Sequence, residues 1–259
     1  MSDAPELSDA DLERYARQIV LREVGPAGQR RIRAARVAVV GAGGLGSASL
    51  LYLAASGIGS LTVIDDDRVS LDNLQRQVLH DTAAVGEPKT HSALRRLDAL
   101  NPGVRVRTVE RRLDAGNARE LLEGHDVVLD GSDNFATKFA VNDACVALGI
   151  PAVIAGILRF DGQVVTVPAG APCYRCLFRD EPPPGQVPAC SAAGVLGPVA
   201  GVVGSLQAAE ALRLLLGAGA SQEGRVLTVE LLDPRVRAVP FPRDPACPAC
   251  AGRPSALAR

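Results

Sequence analysis

The chain has no tryptophan, one methionine and three histidines among 259 residues, and aromatic side chains make up only 3%. A core built without large rings must be aliphatic, and with 47% of residues hydrophobic there is enough Ala, Val and Leu to build one. An excess of either charge is also missing: 28 basic residues face 29 acidic ones. That balance excludes the broad basic field expected of a nucleic-acid-binding surface. The first residues, MSDAPELSDADLERY, are acidic and polar, unlike a secretory signal, so a cytoplasmic setting is expected. Long apolar runs are scarce too. AAGVLGPVAGVVGSL (192–206) comes nearest, but it contains Pro198 and gives way to Gln207, Glu210 and Arg213, short of the ~20 apolar residues of a membrane span. It reads as a buried helix, with Gly197 and Gly201 spaced for close helix packing. His80, His91 and His125 share no metal-ligand spacing, and there is no internal repeat or interdomain linker.

What is present is strongly patterned. Ser8 is placed to cap an amphipathic helix through DADLERYARQIVLREV (9–24), ended by Gly25-Pro26, and a short helix follows in AGQRRIRAA (27–35). RVAVV, SLTVID, VRVRTVE, DVVLD and PAVIAG read as strands. Helical segments alternate with them, among them EPKTHSALRRLDALNP (87–102) and ATKFAVNDACVALG (136–149). Strand and helix alternating to about residue 158 imply a doubly wound, mainly parallel sheet. RFDGQVVTVP then has an Asp161-Gly162 turn and an alternation suited to an antiparallel strand. RVLTVELL and RVRAVPF add two more strands, and DEPPPGQVP (180–188) is a loop. The expected architecture is α/β: a Rossmann-like sheet with an antiparallel C-terminal extension. It forms one domain over 1–259, with N-terminal helices (1–35), a nucleotide-binding core (36–158) and a final part (159–259).

Gly41-Ala42-Gly43-Gly44-Leu45-Gly46 follows a strand and opens a helix, and Asp65 ends the next strand. Glycines there let backbone N–H groups approach a phosphate at a helix N-terminus. Taken alone, this turn fits any nucleotide, or none. VIDDDRVSLDNLQRQ (63–77) narrows the choice, because a nicotinamide site has no use for Arg76 within a dozen residues of a ribose carboxylate. Arg76 and Lys89 suit a triphosphate, and Asp133 in DGSDN suits Mg²⁺, a hard ion that takes oxygen ligands. Read singly, the two cations could be surface charges and Asp133 a helix N-cap.

Cys173-Tyr-Arg-Cys176 and Cys247-Pro-Ala-Cys250 form two CxxC pairs, which suit a tetrahedral structural zinc stapling the C-terminal tail. Redox disulfides are the alternative, disfavoured because neither pair reads as opening a helix after a strand. Cys145 lies in an apolar helix as a core residue. Cys190, between the proline-rich loop and the apolar helix, is a candidate nucleophile.

RYARQI, GAGGLG, DNLQRQ, VGEPK, GSDN, CYRC and CPAC, in that order along essentially the whole chain, resemble the MoeB/ThiF family, bacterial relatives of ubiquitin-activating enzymes. The resemblance implies a homodimer that uses ATP and Mg²⁺ to adenylate the C-terminal Gly-Gly of a ubiquitin-like, MoaD/ThiS-like sulfur carrier. It further implies that Gly41, Gly43, Gly44 and Gly46 line the phosphate turn and that Asp65 holds the ribose, with Asp67 beside it. Asn73, Arg76, Gln77 and Lys89 would surround the phosphates and the incoming carboxylate. Asp133 would bind Mg²⁺ next to Asn134, and Arg17 would reach into the partner's site. Some members bond the carrier covalently through a cysteine, the role Cys190 would take, although adenylation itself needs no thiol. Asp72 stands where the family often has Ser. No rhodanese-like segment follows CPAC, so a separate sulfur donor, a cysteine desulfurase or rhodanese, is expected. Two other classes stay open on residues alone: a nicotinamide-dependent oxidoreductase and a non-catalytic carrier-binding scaffold.

Overall fold

The structure, a computed structural model, describes residues 6–183, 193–220 and 222–252. Its centre is an eight-stranded sheet of mixed direction. The strands are β1 (Arg36–Val40), β2 (Ser60–Ile64), β3 (Arg105–Val109), β4 (Val127–Asp130), β5 (Ala152–Leu158), β6 (Asp161–Val167), β7 (Arg225–Glu230) and β8 (Arg235–Pro240). They lie in the order β3-β2-β1-β4-β5-β6-β7-β8, and the first five are parallel to one another. From β5 onward each pairing is antiparallel. The strand order reverses between β1 and β4, and open α/β sheets bind ligands at the carboxyl ends of strands at such a point.

Strands covered on both faces carry apolar side chains on both, and β1 shows it. Val37 and Val39 enter one core with Ile32, Leu50, Leu53, Leu97, Val199 and Val203. Ala38 and Val40 enter the other with Leu122, Phe139, Val141 and Cys145. The helices on the described residues are α1 (Asp9–Arg14), α2 (Ala16–Ile19), α3 (Gly25–Ala34), α4 (Gly44–Ala55), α5 (Lys89–Leu100), α6 (Ala118–Leu122), α7 (Phe135–Leu148), α8 (Tyr174–Leu177) and α9 (Gly197–Leu216). α3, α4, α5 and α9 supply the first core, and α6, α7 and α8 the second.

Several local expectations are corrected. Ser8 does cap α1, in a reciprocal box with Asp11, but the expected single helix breaks at Tyr15. Tyr15 is buried, and its hydroxyl accepts from Asn101 Nδ2 at 2.9 Å, an anchorage that an unbroken surface helix does not have. Gly25-Pro26 opens α3 instead of ending α1, because proline in the first turn gives up no helical hydrogen bond. Asp161-Gly162 is not the hairpin turn: Asp161 already pairs with Leu158, and the chain reverses at Arg159-Phe160, where Arg159 takes φ = 55°.

The apolar helix α9 passes, by length and composition, as a possible membrane span. Its surroundings are those of a core helix. Gln207 is fully buried and donates to the carbonyls of Asp130 (2.8 Å) and Val153 (3.0 Å), while buried Glu210 accepts from Thr166. Close packing falls to Gly204, not Gly201: a side chain at Gly204 would meet the Leu45 carbonyl of α4, whereas Gly201 faces open space.

Candidate functional site

β1 and β4 are neighbours, so the loops leaving their carboxyl ends meet. The β1 loop is the glycine turn. Gly41 takes φ = 90°, and a side chain there would press on the backbone of Gly131 and Ser132 at 3.1–3.3 Å. Gly46 has a different task from the one expected. It does not line the cleft; a Cβ on it would collide with the Gly41 carbonyl, so its bare backbone lets α4 start tight against the turn. Beneath the turn, buried His80 binds the Ala42 carbonyl through Nε2 (2.8 Å), while its Nδ1 meets Ser92 Oγ (2.9 Å). A carbonyl only accepts, so Nε2 carries the proton and Nδ1 accepts from Ser92. Burial lowers the His80 pKa, which keeps the ring neutral. His80 thus supports the turn, and the four-cysteine group is the one candidate metal cluster containing His or Cys among the described residues.

A cleft of about 1030 Å³ opens over these loops. Of the expected residues its wall holds Gly41, Gly43, Gly44, Asp65, Asp67, Arg76, Gln77, Lys89, Asp133 and Asn134. Asp65, at the end of β2, accepts from the Ala42 N–H (2.7 Å) and the Asp67 N–H (2.8 Å). Burial raises its pKa, against the pull of Lys89 and those two hydrogen bonds. Lys89 is buried at the first position of α5, where the helix dipole disfavours a cation. Its Nζ reaches Asp67 at 2.9 Å. Lys89 is thus held on the cleft wall by Asp67, with Asp65 close by, and is not a solvated surface charge.

Asp133 is exposed, and among the described residues its carboxylate has no hydrogen bond or ion pair. The capping role belongs to the next residue, since Asn134 Oδ1 accepts from the Thr137 N–H that opens α7. Asp133 is therefore free to hold a hard cation. Two polar atoms on the cleft wall, Gln77 Oε1 and Ser132 Oγ, are buried without a partner among the described residues, as a site with polar ligand contacts would leave them.

Other expected residues lie elsewhere. Asn73 is outside the wall; its carbonyl accepts from the N–H groups of Arg76 and Gln77, both 3.0 Å, and so places them. Arg17 is exposed on α2, also outside the wall. Asp72 is exposed and bound to Ser70 Oγ at 2.5 Å, so it faces solvent. Cys190 lies outside the described residues, as does most of the proline-rich loop.

Sequence reasoning missed Lys138. This buried lysine on α7 donates to Asp130 Oδ2 (2.8 Å), the Ser132 carbonyl (2.7 Å) and the Ala155 carbonyl (2.5 Å). Asp130 Oδ1 in turn accepts from the Ser132 N–H at 3.3 Å. The pair pins the loop that presents Asp133. A lysine inside an otherwise apolar helix, one turn after GSDN, was its signal. Arg111 and Arg112, which follow β3 onto the wall, were also overlooked.

The cysteines form a second centre. The Sγ atoms of Cys173, Cys176, Cys247 and Cys250 all lie within 4.8 Å of one another. Cys173–Cys247 is 3.6 Å and Cys176–Cys250 3.4 Å, too long for disulfides and close to the ~3.8 Å edge of a tetrahedron with Zn–S bonds of about 2.3 Å. Burial pushes the Cys250 thiol up to about 11, while at Cys247 burial is outweighed by backbone hydrogen bonds from Cys250 and Ala249, which pull the thiol down. The donor set fits zinc. One premise fails, however, because Cys173 does open a helix, the single turn α8. The metal reading rests instead on four thiols converging. Cys145 is buried, and desolvation pushes its thiol to about 12, as suits an inert core residue.

Residues 15–249 match the ThiF family. The chain belongs to it. It is 50% identical over 251 residues to the sulfur carrier protein adenylyltransferase of Thermus thermophilus, spanning 95% of this chain and 93% of that one. It is 49% identical over 244 residues to the SAMP-activating enzyme E1 of Haloferax volcanii, spanning 94% and 90%. The Anopheles gambiae protein named adenylyltransferase and sulfurtransferase MOCS3 is 42% identical over 252 residues, which are 96% of this chain but 57% of that protein. Among solved structures, Escherichia coli MccB with ATP superposes with a TM-score of 0.80 over 92% of this chain and 74% of its own, at 24% identity, a likeness of fold.

Proposed function

We propose that this ThiF-family chain is an ATP-dependent adenylyltransferase that activates the C-terminal glycine of a ubiquitin-like sulfur-carrier protein for thiocarboxylate formation. The observation that carries this reading is the meeting of the glycine turn with Asp133 at the carboxyl ends of adjacent strands, facing Arg76 and Lys89 across one cleft. The relatives named for sulfur-carrier and SAMP activation cover nine-tenths or more of both chains, which supports extending that activity to this one.

In the step proposed, a carboxylate oxygen of the carrier's last glycine attacks the α-phosphorus of ATP. The bond from that phosphorus to the bridging oxygen breaks, and pyrophosphate leaves with the electron pair. An ionised carboxylate needs no general base, so catalysis rests on positioning and on stabilising charge. The glycine turn offers N–H groups to phosphate, and Asp65 receives the ribose hydroxyls. Arg76 and Lys89 offset the charge growing on pyrophosphate, and Gln77 and Asn134 offer hydrogen bonds from the wall. Asp133 would hold Mg²⁺, which supplies charge neutralisation when bound. Zinc on the four cysteines would be structural. In this reading the protein is a cytoplasmic homodimer, Arg17 serves the partner's cleft, and Asn73 shapes the site through its backbone. Sulfur comes from a separate cysteine desulfurase or rhodanese, and Cys190 remains a candidate for a covalent carrier adduct.

The experiment is isotope exchange between ATP and pyrophosphate, with and without a carrier ending in Gly-Gly. Exchange confined to the carrier-containing mixture supports the reading. ATP binding with no exchange in either mixture points to a scaffold, and NAD bound in preference to ATP points to an oxidoreductase.

A further inference from the structure

Aromatic residues are scarce in this chain, yet three of its five Phe and one of its three Tyr cluster in one place. Phe135, Phe139, Tyr174 and Phe178 form a connected set between the cysteine cluster and the cleft. Tyr174–Phe139 centroids are 5.6 Å apart, edge to face; Tyr174–Phe178 are 5.1 Å apart and Phe178–Phe135 6.3 Å. Tyr174 occupies an unusual position. It sits between the two cysteines of a CxxC pair, is only 2% exposed, and lines the cleft together with Phe178 and Phe135. Phe135 is the first residue of α7 and directly follows Asp133-Asn134.

Few hydrogen bonds hold Tyr174 apart from its cysteine neighbours. Its N–H donates to Asn142 Oδ1 at 2.9 Å, and Asn142 Nδ2 lies 3.7 Å from Cys173 Sγ. Arg175 forks onto Asp143 and lies 4.3 Å from the Phe139 ring centroid. Tyr174 opens the four-residue turn α8, which Cys173 caps and which contains Cys176, and which is too short to be stable by itself. Ligand distances at zinc tolerate about 0.2 Å, so metal bound by Cys173 and Cys176 fixes the backbone that carries Tyr174.

We propose that Tyr174 makes metal retention and cleft occupancy one coupled equilibrium: zinc on the four cysteines sets the tyrosine in the cleft wall, and ATP in the cleft holds zinc in return. The proposal rests on the reading of the cleft as an ATP site. Coupling between two binding sites is reciprocal, so it can be read from the metal side without measuring activity.

Zinc partition between the intact protein and a chromophoric chelator of known affinity is measured at equilibrium with and without Mg²⁺-ATP, while calorimetry on the same sample reports ATP binding. The expected result is zinc affinity raised about fivefold or more by ATP, the low end of ordinary coupling. Tyr174→Leu, verified by elemental analysis to keep one zinc per chain, is expected to lose that protection, and Tyr174→Phe to keep it. Should Tyr174→Leu fail to fold, Phe178→Leu takes its place, since it cuts the same aromatic path. Wild-type protein that binds ATP yet holds zinc with unchanged affinity overturns the proposal, as does full protection in the leucine variant. A sample that binds no ATP at all sinks the assignment of the cleft as well, so the two failures are told apart.

Discussion

The two halves of the sheet hold their chemistry in different ways. In the parallel half, four of the candidate residues ride on the end of a strand or the start of a helix: Gly41 after β1, Asp65 after β2, Asp133 after β4, Lys89 opening α5. Short backbone hydrogen bonds and steric limits place them, and the motifs span only a few residues. In the antiparallel half, the cysteine pairs that meet stand 74 positions apart, and the last strand, β8, is exposed along its whole length. There, side-chain chemistry must bring the chain together. The parallel half should therefore be fragile where its buried supports are cut, and the other half where its thiols are.

The largest effect should come from beneath the parallel half. Lys138→Met leaves Asp130, which is fully buried, without its partner, and breaking such a pair costs about 3–5 kcal/mol. Urea denaturation reads this directly; a loss under 1 kcal/mol would mean that the pair does not support the fold. Asp133→Ala should leave stability intact, since the side chain is exposed, while lowering carrier-dependent pyrophosphate exchange about 10²–10³-fold. Exchange near the wild-type rate would remove it from the site.

In the other half, Cys247→Ser should lose zinc and cost about 3 kcal/mol, the linkage expected when a ligand at a hundredfold excess over its Kd no longer binds. Its melting temperature, set beside that of the chelator-treated wild type, tests this. Equal stability of zinc-loaded and zinc-stripped protein would mean that the staple carries no load. Between subunits, mixing Arg17→Ala with Asp133→Ala chains should restore part of the exchange, because a heterodimer would own one complete cleft. Verified heterodimers without activity would mean that Arg17 acts in its own subunit's cleft or not at all.

The smallest effect concerns pH. Burial raises the Asp65 pKa, so the carboxylate takes up its proton at a higher pH than an exposed aspartate, whose usual value is about 3.9. The ionised form is the one that accepts from a ribose. ATP affinity should thus be full above the raised pKa and fall as pH drops through it. Stability from this group runs the opposite way, present below the unfolded-state value and lost as pH rises through the folded one. ATP affinity that stays flat down to pH ~4 would separate Asp65 from the ribose.

How far the chain could be read in advance follows the same division. The strand–turn–helix units, the glycine turn and the charged residues at strand ends were legible, because a local period and a short motif define each of them. The break at Tyr15 was not, since it depends on Asn101, 86 positions away. Nor was the Asp130–Lys138 support: an acidic strand end and a helical lysine become a pair only when the α7 crossover folds back on the sheet. The hairpin was placed wrongly at Asp161-Gly162 because its turn residue, Arg159, adopts a left-handed φ that arginine seldom takes. The four cysteines were legible as a group, but the tyrosine they carry into the cleft was not.

The most direct test of the central claim is the product itself. Purified protein, Mg²⁺-ATP and a carrier ending in Gly-Gly are mixed, and the carrier is examined by intact mass spectrometry. The expected result is a carrier heavier by one adenylyl group (AMP less the elements of water), with pyrophosphate released, and no such species from a carrier lacking the terminal glycine. A carrier of unchanged mass, in a mixture where ATP and carrier are both shown to bind, would contradict the claim.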